Sequence, residues 1–391
     1  LSRLDPFRLL TLHSALFGLA AAMAGGFVGA YLIKLGLGLP VALATYAGLL
    51  TVRCGIRLLA VEVVRRVGIA GGMKVGAALG ALGFLPLLLA DRSTGWLLAW
   101  VVAVSMAEAL YWPAYHTATA ATAAGEGSLG RQLGERMTVG ALVAVAGPLV
   151  GGLLLASFGE AADFGIAAFC SLLSILPLAR IGRIEGGPMP SLREALRGTD
   201  RVGVATFAAD GWISSGLTFV WPMLLFSSMG ANYEAFGAAN AIAGLAGAAV
   251  SLFCGHAIDR GQRDRCLLLV CTALAGSFAL RATSAWWPLG AVMANATGAA
   301  IMGFYGPVVM SAVYARAKRS GAIYRFQINL EAGWDCGAVA GLLVAALVAW
   351  AAPAASLAVL PAALGIIPLY WAVRGPRRVA PAPGPALIAA A

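Results

Sequence analysis

The 391 residues are 60% hydrophobic and 11% charged, with a mean hydropathy of +0.85, a balance that excludes an ordinary soluble globular domain. Apolar runs long enough to cross a bilayer, about 20 residues each, follow one another with few breaks, and the short alternating segments of a β-barrel are missing. The net charge of +10 does not point to nucleic acid, because most of the 27 Lys and Arg residues sit in short loops between apolar runs, where the positive-inside rule puts them.

In chain order, Arg3 and Arg8 precede an apolar run over about 9–33. With Ala20, Ala21 and Ala22 as a cleavage-like site this resembles a signal peptide, but the run is too long for a signal h-region and reads as the first span. Spans follow near 40–60, 74–91, 95–120, 137–158 and 163–182. A polar segment over 183–201 then interrupts the pattern, and six more spans lie near 202–228, 234–257, 266–284, 287–314, 329–351 and 355–373. The organisation is therefore 1–182, a six-helix bundle; 183–201, a linker; 202–374, a second six-helix bundle; and 375–391, a Pro/Ala-rich tail with a disordered composition. Basic residues gather at both termini, the linker and the even loops, which places all of these on the cytoplasmic side of a plasma (inner) membrane.

The chain repeats itself. At a constant offset of 194 residues Gly36 matches Gly230, Arg66 matches Arg260, Tyr111 matches Tyr305, Pro113 matches Pro307 and Arg131 matches Arg325. Five landmarks at matching topological positions are the trace of a duplicated six-helix module, the plan of a two-domain transporter.

The loop after the eighth span carries Gly255, Asp259, Arg260 and Gly261, which resembles the G-x-x-x-D-R signature of the major facilitator superfamily. In the first half Arg65, Arg66 and Gly68 occupy that loop, with Arg65 where the Asp is expected. Span five contains Gly147, Pro148, Gly151 and Gly152, similar to the G-P-x-x-G-G signature of that family's proton/drug antiporters, with Val143 in place of an earlier Gly. The resemblance implies an all-α membrane protein of twelve helices in two six-helix bundles. It further implies a loop that helps to lock the cytoplasmic side, and a central path lined by the first and fourth helices of each half.

Ionisable groups inside spans are costly and mark functional sites. Glu108 lies near the middle of span four, with Tyr111, Trp112 and Tyr115 on the same helix face at i+3, i+4 and i+7. There the carboxylate can take a proton or pair with a cation while the aromatics stack on a ligand; the competing reading is a neutral, hydrogen-bonded Glu108 among packing aromatics. Asp210, about two turns into span seven near Trp212, reads equally as a proton relay or as a helix–helix hydrogen bond. Gly211, Gly216 and Pro222 allow that span to bend. Asn295 and Tyr305 come from span ten, while Met23, Phe27 and Tyr31 in span one read as packing.

Glu331 and Asp335 are expected at the cytoplasmic start of span eleven, where carboxylates complement a helix N-terminus and can reach Arg65 or Arg66. Glu135 is expected to meet Arg260. With Arg131, Asp259 and Arg325 they form the expected cytoplasmic gate, against solvated loop charge as the alternative. His116 lies nearer this gate than the midplane, and Arg53 in span two needs a partner or a wet cavity.

The six cysteines have no CxxC spacing and the three histidines stand far apart, so neither a metal site nor a cofactor is expected. No P-loop motif is present, so movement must be driven by a gradient or be facilitated diffusion. The expected function is secondary active transport of a small organic solute, neutral or cationic, with protons as the coupling ion, by a monomer in the lipid bilayer. A multidrug efflux antiporter and a nutrient or metal-chelate uptake carrier share the plan. A membrane enzyme or sensor would need a constellation or soluble domain that the sequence lacks.

Overall fold

The structure, a computed structural model, describes residues 5–122, 129–197, 200–259 and 263–374, apart from the side chains of 129–135, 137, 252–259, 263, 264 and 311. All regular structure among these residues is helical. The helices are α1 (Pro6–Met23), α2 (Val28–Lys34), α3 (Leu39–Leu88), α4 (Thr94–Thr122), α5 (Leu129–Phe158), α6 (Glu160–Leu173), α7 (Ile175–Leu178) and α8 (Leu192–Leu196) in the first part of the chain. They continue as α9 (Arg201–Ser214), α10 (Trp221–Ser228), α11 (Tyr233–Asp259), α12 (Arg263–Ser284), α13 (Pro288–Arg319), α14 (Ile323–Ala351) and α15 (Ile366–Arg374). Among the described residues eight stretches are long and apolar enough to span a bilayer. Exposed Leu82, Leu98, Leu142, Leu245 and Leu269 clothe the outside, as lipid-facing helices require.

Helix ends differ from the sequence expectation in two places that matter. The second and third spans are joined without a loop: the two limbs of α3 meet at Gly68, whose φ of 78° and ψ of 172° turn the chain in a conformation that suits glycine, and both limbs pack on α4, where Leu49 accepts from Ser105 and Gly76 abuts Ala107. Arg53 consequently lies near the middle of the first limb of α3. α14 begins at Ile323 instead of near 329, so Asp335 sits twelve residues, about 18 Å at 1.5 Å per residue, inside the helix. Neither it nor Glu331 is at a helix start.

Two spans are interrupted. α1 and α2 are joined by a 3-10 turn at Gly25–Phe27, and α9 and α10 by a π turn at Ser215–Val220. Shifted by 194 residues, the first break becomes 219–221 and overlaps the end of the second. Two consecutive glycines, Gly25 and Gly26, loosen the first; Gly216 lies within the second and Pro222 just after it. A broken helix is tolerated at membrane depth where its freed backbone lines a cavity.

The two halves of the chain meet along α3 with α14 and along α5 with α11. Glycines make the second seam close. A Cβ on Gly152 would fall 2.7 Å from the Tyr233 carbonyl oxygen, one on Gly237 2.5 Å from that of Pro148, and one on Gly244 2.4 Å from that of Ala144. This is the small-residue packing that holds helices together where no hydrophobic driving force exists. The linker is anchored: a capping box of Ser191 and Glu194 starts α8, the Arg325 side chain donates to the carbonyls of Glu194 and Arg197, and Arg316 pairs with Asp200 ahead of α9.

Candidate functional site: a central cavity with a bridging charge network

A cavity of about 830 Å³ opens where the two broken helices face α3, α4, α11, α13 and α14. Gly25, Gly26 and Phe27 line it from the first break, and Thr218 and Phe219 from the second, with Pro222 at the start of α10. Aromatic side chains dominate the rest of the wall, among them Tyr46, Trp100, Trp112, Phe236 and Trp334, and Tyr46 packs on Phe219 with ring centroids 4.8 Å apart. This mixture of apolar wall and a few convergent polar groups is that of a small-molecule site.

Charge enters the wall from both halves. Arg53 on α3 donates through Nη1 to Glu108 on α4, and through Nε, at 2.8 Å, and Nη2 to Oδ1 of Asp335 on α14. Arg57, one turn along α3, donates to the other oxygen of Asp335. The Arg53 guanidinium also lies 5.1 Å from the ring centroid of Trp334, a cation–π contact. Glu331 completes the set, 3.6 Å from His116, whose Nδ1 is 2.9 Å from the Tyr314 hydroxyl. Asp335 is fully buried between two guanidiniums, and only such paired, hydrogen-bonded charges are tolerable there.

Of the residues singled out in the sequence, Glu108, Tyr111, Trp112 and Asn295 line the cavity. Glu108 is not isolated, because Arg53 holds it. Tyr111 stacks on Phe17, with centroids 4.0 Å apart, and on Tyr115. Tyr115 lies behind the wall, where its hydroxyl accepts from Arg136. Asn295 accepts from the Trp221 indole at 2.9 Å and donates to Asn240.

Asp210, Trp212 and Tyr305 stand away from the cavity surface. Asp210 accepts from the Tyr305 hydroxyl and, at 2.9 Å, from the Trp334 indole, so it reaches the site through Trp334. Trp212 donates to the Pro361 carbonyl in the 3-10 stretch Ala355–Gly365. Met23 and Tyr31 are buried, as is Phe27, which also touches the cavity.

The expected gate divides. Glu331 and Asp335 do not meet Arg65 and Arg66; those arginines pair with Glu62 on their own helix, because the late helix start assumed for α14 put the acids on the wrong level. Arg325 serves the linker instead. Arg131, Glu135, Asp259 and Arg260 lie outside the residues whose side chains are described. Sequence reasoning missed Arg57, Trp334 and His13 as partners, and left Arg53 without a named one. It also missed a contact between the halves at the opposite end of the bundle. There Lys34 lies 4.0 Å from Glu160 and 4.2 Å from the ring centroid of Tyr233, whose hydroxyl donates to Glu160 at 3.1 Å. Of the cysteines, Cys336 is exposed, and Cys54 lies within interaction range of it across the α3–α14 seam.

The glycines of span five pack. Gly147 abuts Ala22, Gly151 abuts the Met23 backbone and Gly152 abuts α11, which makes the motif a close-packing device at the seam.

No protein-family profile and no curated protein matches the sequence. Solved structures do. The nucleoside transporter NupG superposes with a TM-score of 0.66 at 13% identity over 95% of this chain and 99% of its own. The human organic anion transporter MFSD10 gives 0.66 at 13%, over 95% and 100%. FucP, a major facilitator superfamily transporter in the outward conformation, gives 0.64 at 16%, over 96% and 99%. At such identities the likeness is one of fold.

Proposed function

We propose that this chain, whose fold is that of major facilitator superfamily transporters, is a secondary active transporter. It moves a small organic solute by alternating access of two six-helix halves, 1–182 and 202–374, about the linker 183–201. The observation that supports this reading best is the cavity where the two interrupted helices meet, walled by both halves and crossed by the Arg53–Asp335 ion pair between them. Contacts between the halves lie on both sides of it, His116 with Tyr314 towards the linker and Lys34 with Tyr233 at the other end. Rocking one half against the other would break one set while keeping the other.

Protons are the proposed coupling ion, with Glu108 as the more exposed of the two carboxylates that line the cavity, the other being Glu331, and Asp210 tied to the site through Trp334. Both termini and the linker are assigned to the cytoplasmic face of the plasma membrane, and the unit to a monomer. Reconstitution into liposomes with an imposed pH gradient tests the reading: solute accumulation should follow the gradient and collapse in the double variant Glu108→Gln, Asp210→Asn. Gradient-indifferent accumulation that survives both substitutions would overturn proton coupling. The gradient polarity that drives accumulation separates efflux exchange from uptake.

A further inference from the structure

We propose, resting on the transport reading above, that the solute is an organic monocation whose positive group takes Glu108 from Arg53, and that Arg53 then passes wholly to Asp335. Occupancy of the cavity thereby tightens the α3–α14 seam between the halves.

The cavity offers a solute one accessible charge. The Glu108 side chain is 34% exposed, against 7% for Glu331, which also lines the cavity, 5% for Arg53 and 0% for Asp335. Arg53 occupies Oε2 of Glu108, and Oε1 has no protein hydrogen-bond partner among the described residues, so an incoming donor finds a free lone pair. Tyr46, Trp100, Trp112 and Phe219 share the cavity wall with Glu108, and aromatic faces attract a weakly hydrated cation and repel an anion.

The hydrogen bonds set the consequence. Arg53 gives one nitrogen, Nη1, to Glu108 and two, Nε and Nη2, to Asp335. Losing Glu108 costs the single contact and leaves the two-nitrogen grip on the other half intact. An anionic solute would instead compete with Asp335 for Arg53 and loosen the seam. Occupancy by a cation and by an anion therefore move the two halves in opposite senses, and that difference is what allows binding to bias a conformational equilibrium.

The test uses two ions of the same shape and opposite charge, tetraphenylphosphonium and tetraphenylborate, with purified full-length protein at fixed pH. Cys54 and Cys336 flank Arg53 and Asp335 in sequence and face each other across the seam, so their disulfide formation under copper–phenanthroline and oxygen, which remove the two electrons, reports its closure. Tetraphenylphosphonium should bind, lose about tenfold or more in affinity in Glu108→Gln, retain part of it in Glu108→Asp, and speed the cross-link severalfold in the parent protein. Glu108→Gln should cross-link fast without ligand and no longer respond. Equal or tighter binding of tetraphenylborate, cation binding indifferent to Glu108→Gln in a variant that elutes as the parent does, or a cross-link rate unmoved by the cation would each overturn the proposal. Gradient-driven transport of a neutral or anionic solute would sink this inference while leaving the transport reading standing.

Discussion

The Tyr305 hydroxyl donates to Asp210, tying α13 to α9, and its repeat partner Tyr111 makes the corresponding tie in the first half, 2.9 Å from Nε2 of His13 on α1. Nδ1 of His13 faces the Ser174 carbonyl at 2.9 Å, which can only accept, so Nδ1 carries the proton and the neutral ring's Nε2 accepts from Tyr111. The recurring tyrosines thus bind the fourth helix of each half to the first, with different partners.

Tyr111→Phe and Tyr305→Phe should each lower stability, by about 1–3 kcal/mol for a buried polar partner left unmet. Tyr305→Phe should be the milder, since the Trp334 indole still donates to Asp210. Thermal unfolding of the detergent-solubilised protein measures both; equal stability of parent and Tyr111→Phe would contradict the assignment.

Asp335 and Glu108 should answer differently to neutralisation. Asp335→Asn leaves Arg53 and Arg57 buried with half of their compensation gone, a loss of about 3–5 kcal/mol. Glu108→Gln, at a site open to the cavity, should cost well under that. The same unfolding assay compares them, and an equal loss would mean that Glu108 is held as tightly as Asp335.

A methyl group at Gly151 would fall 2.3 Å from the Met23 carbonyl oxygen, whereas at Gly140 on the same helix nothing lies within 4 Å. Gly151→Ala should therefore destabilise by about 1–3 kcal/mol as α5 is pushed from α1, while Gly140→Ala is neutral or slightly stabilising.

Asp200 has a pH signature of its own. The Arg316 guanidinium holds its carboxyl below the ordinary aspartate value of 3.8, helped by the amides of Gly203 and Val202 that it caps. A carboxylate with a depressed folded pKa lends stability that is full above the unfolded value and is lost as pH falls through the folded one. The melting temperature should decline as pH is lowered below 3.8, and less steeply in Asp200→Asn, which keeps the helix cap without the charge. Parallel curves for parent and variant would refute the contribution.

Much of this molecule is a local property of its sequence. In a bilayer each span must satisfy its own backbone hydrogen bonds, so length and hydropathy alone mark the helices, and the cost of a carboxylate inside one marks Glu108. Pro222 and Gly216 likewise announce the bend in the seventh span, and the offset of 194 residues announces its counterpart, although the break at Gly25–Phe27 itself went unread. What neutralises Glu108 is not local. Arg53 is 55 residues from it and 282 from Asp335, and their meeting depends on how far each helix extends and how it is rotated. The late start assumed for α14 was enough to send Glu331 and Asp335 to the wrong partners. The sequence by itself determined the membrane class, the helices and the costly charges; only the tertiary structure decided which charges share a site, because ion pairing acts over a few ångströms between helices whose register no single span encodes.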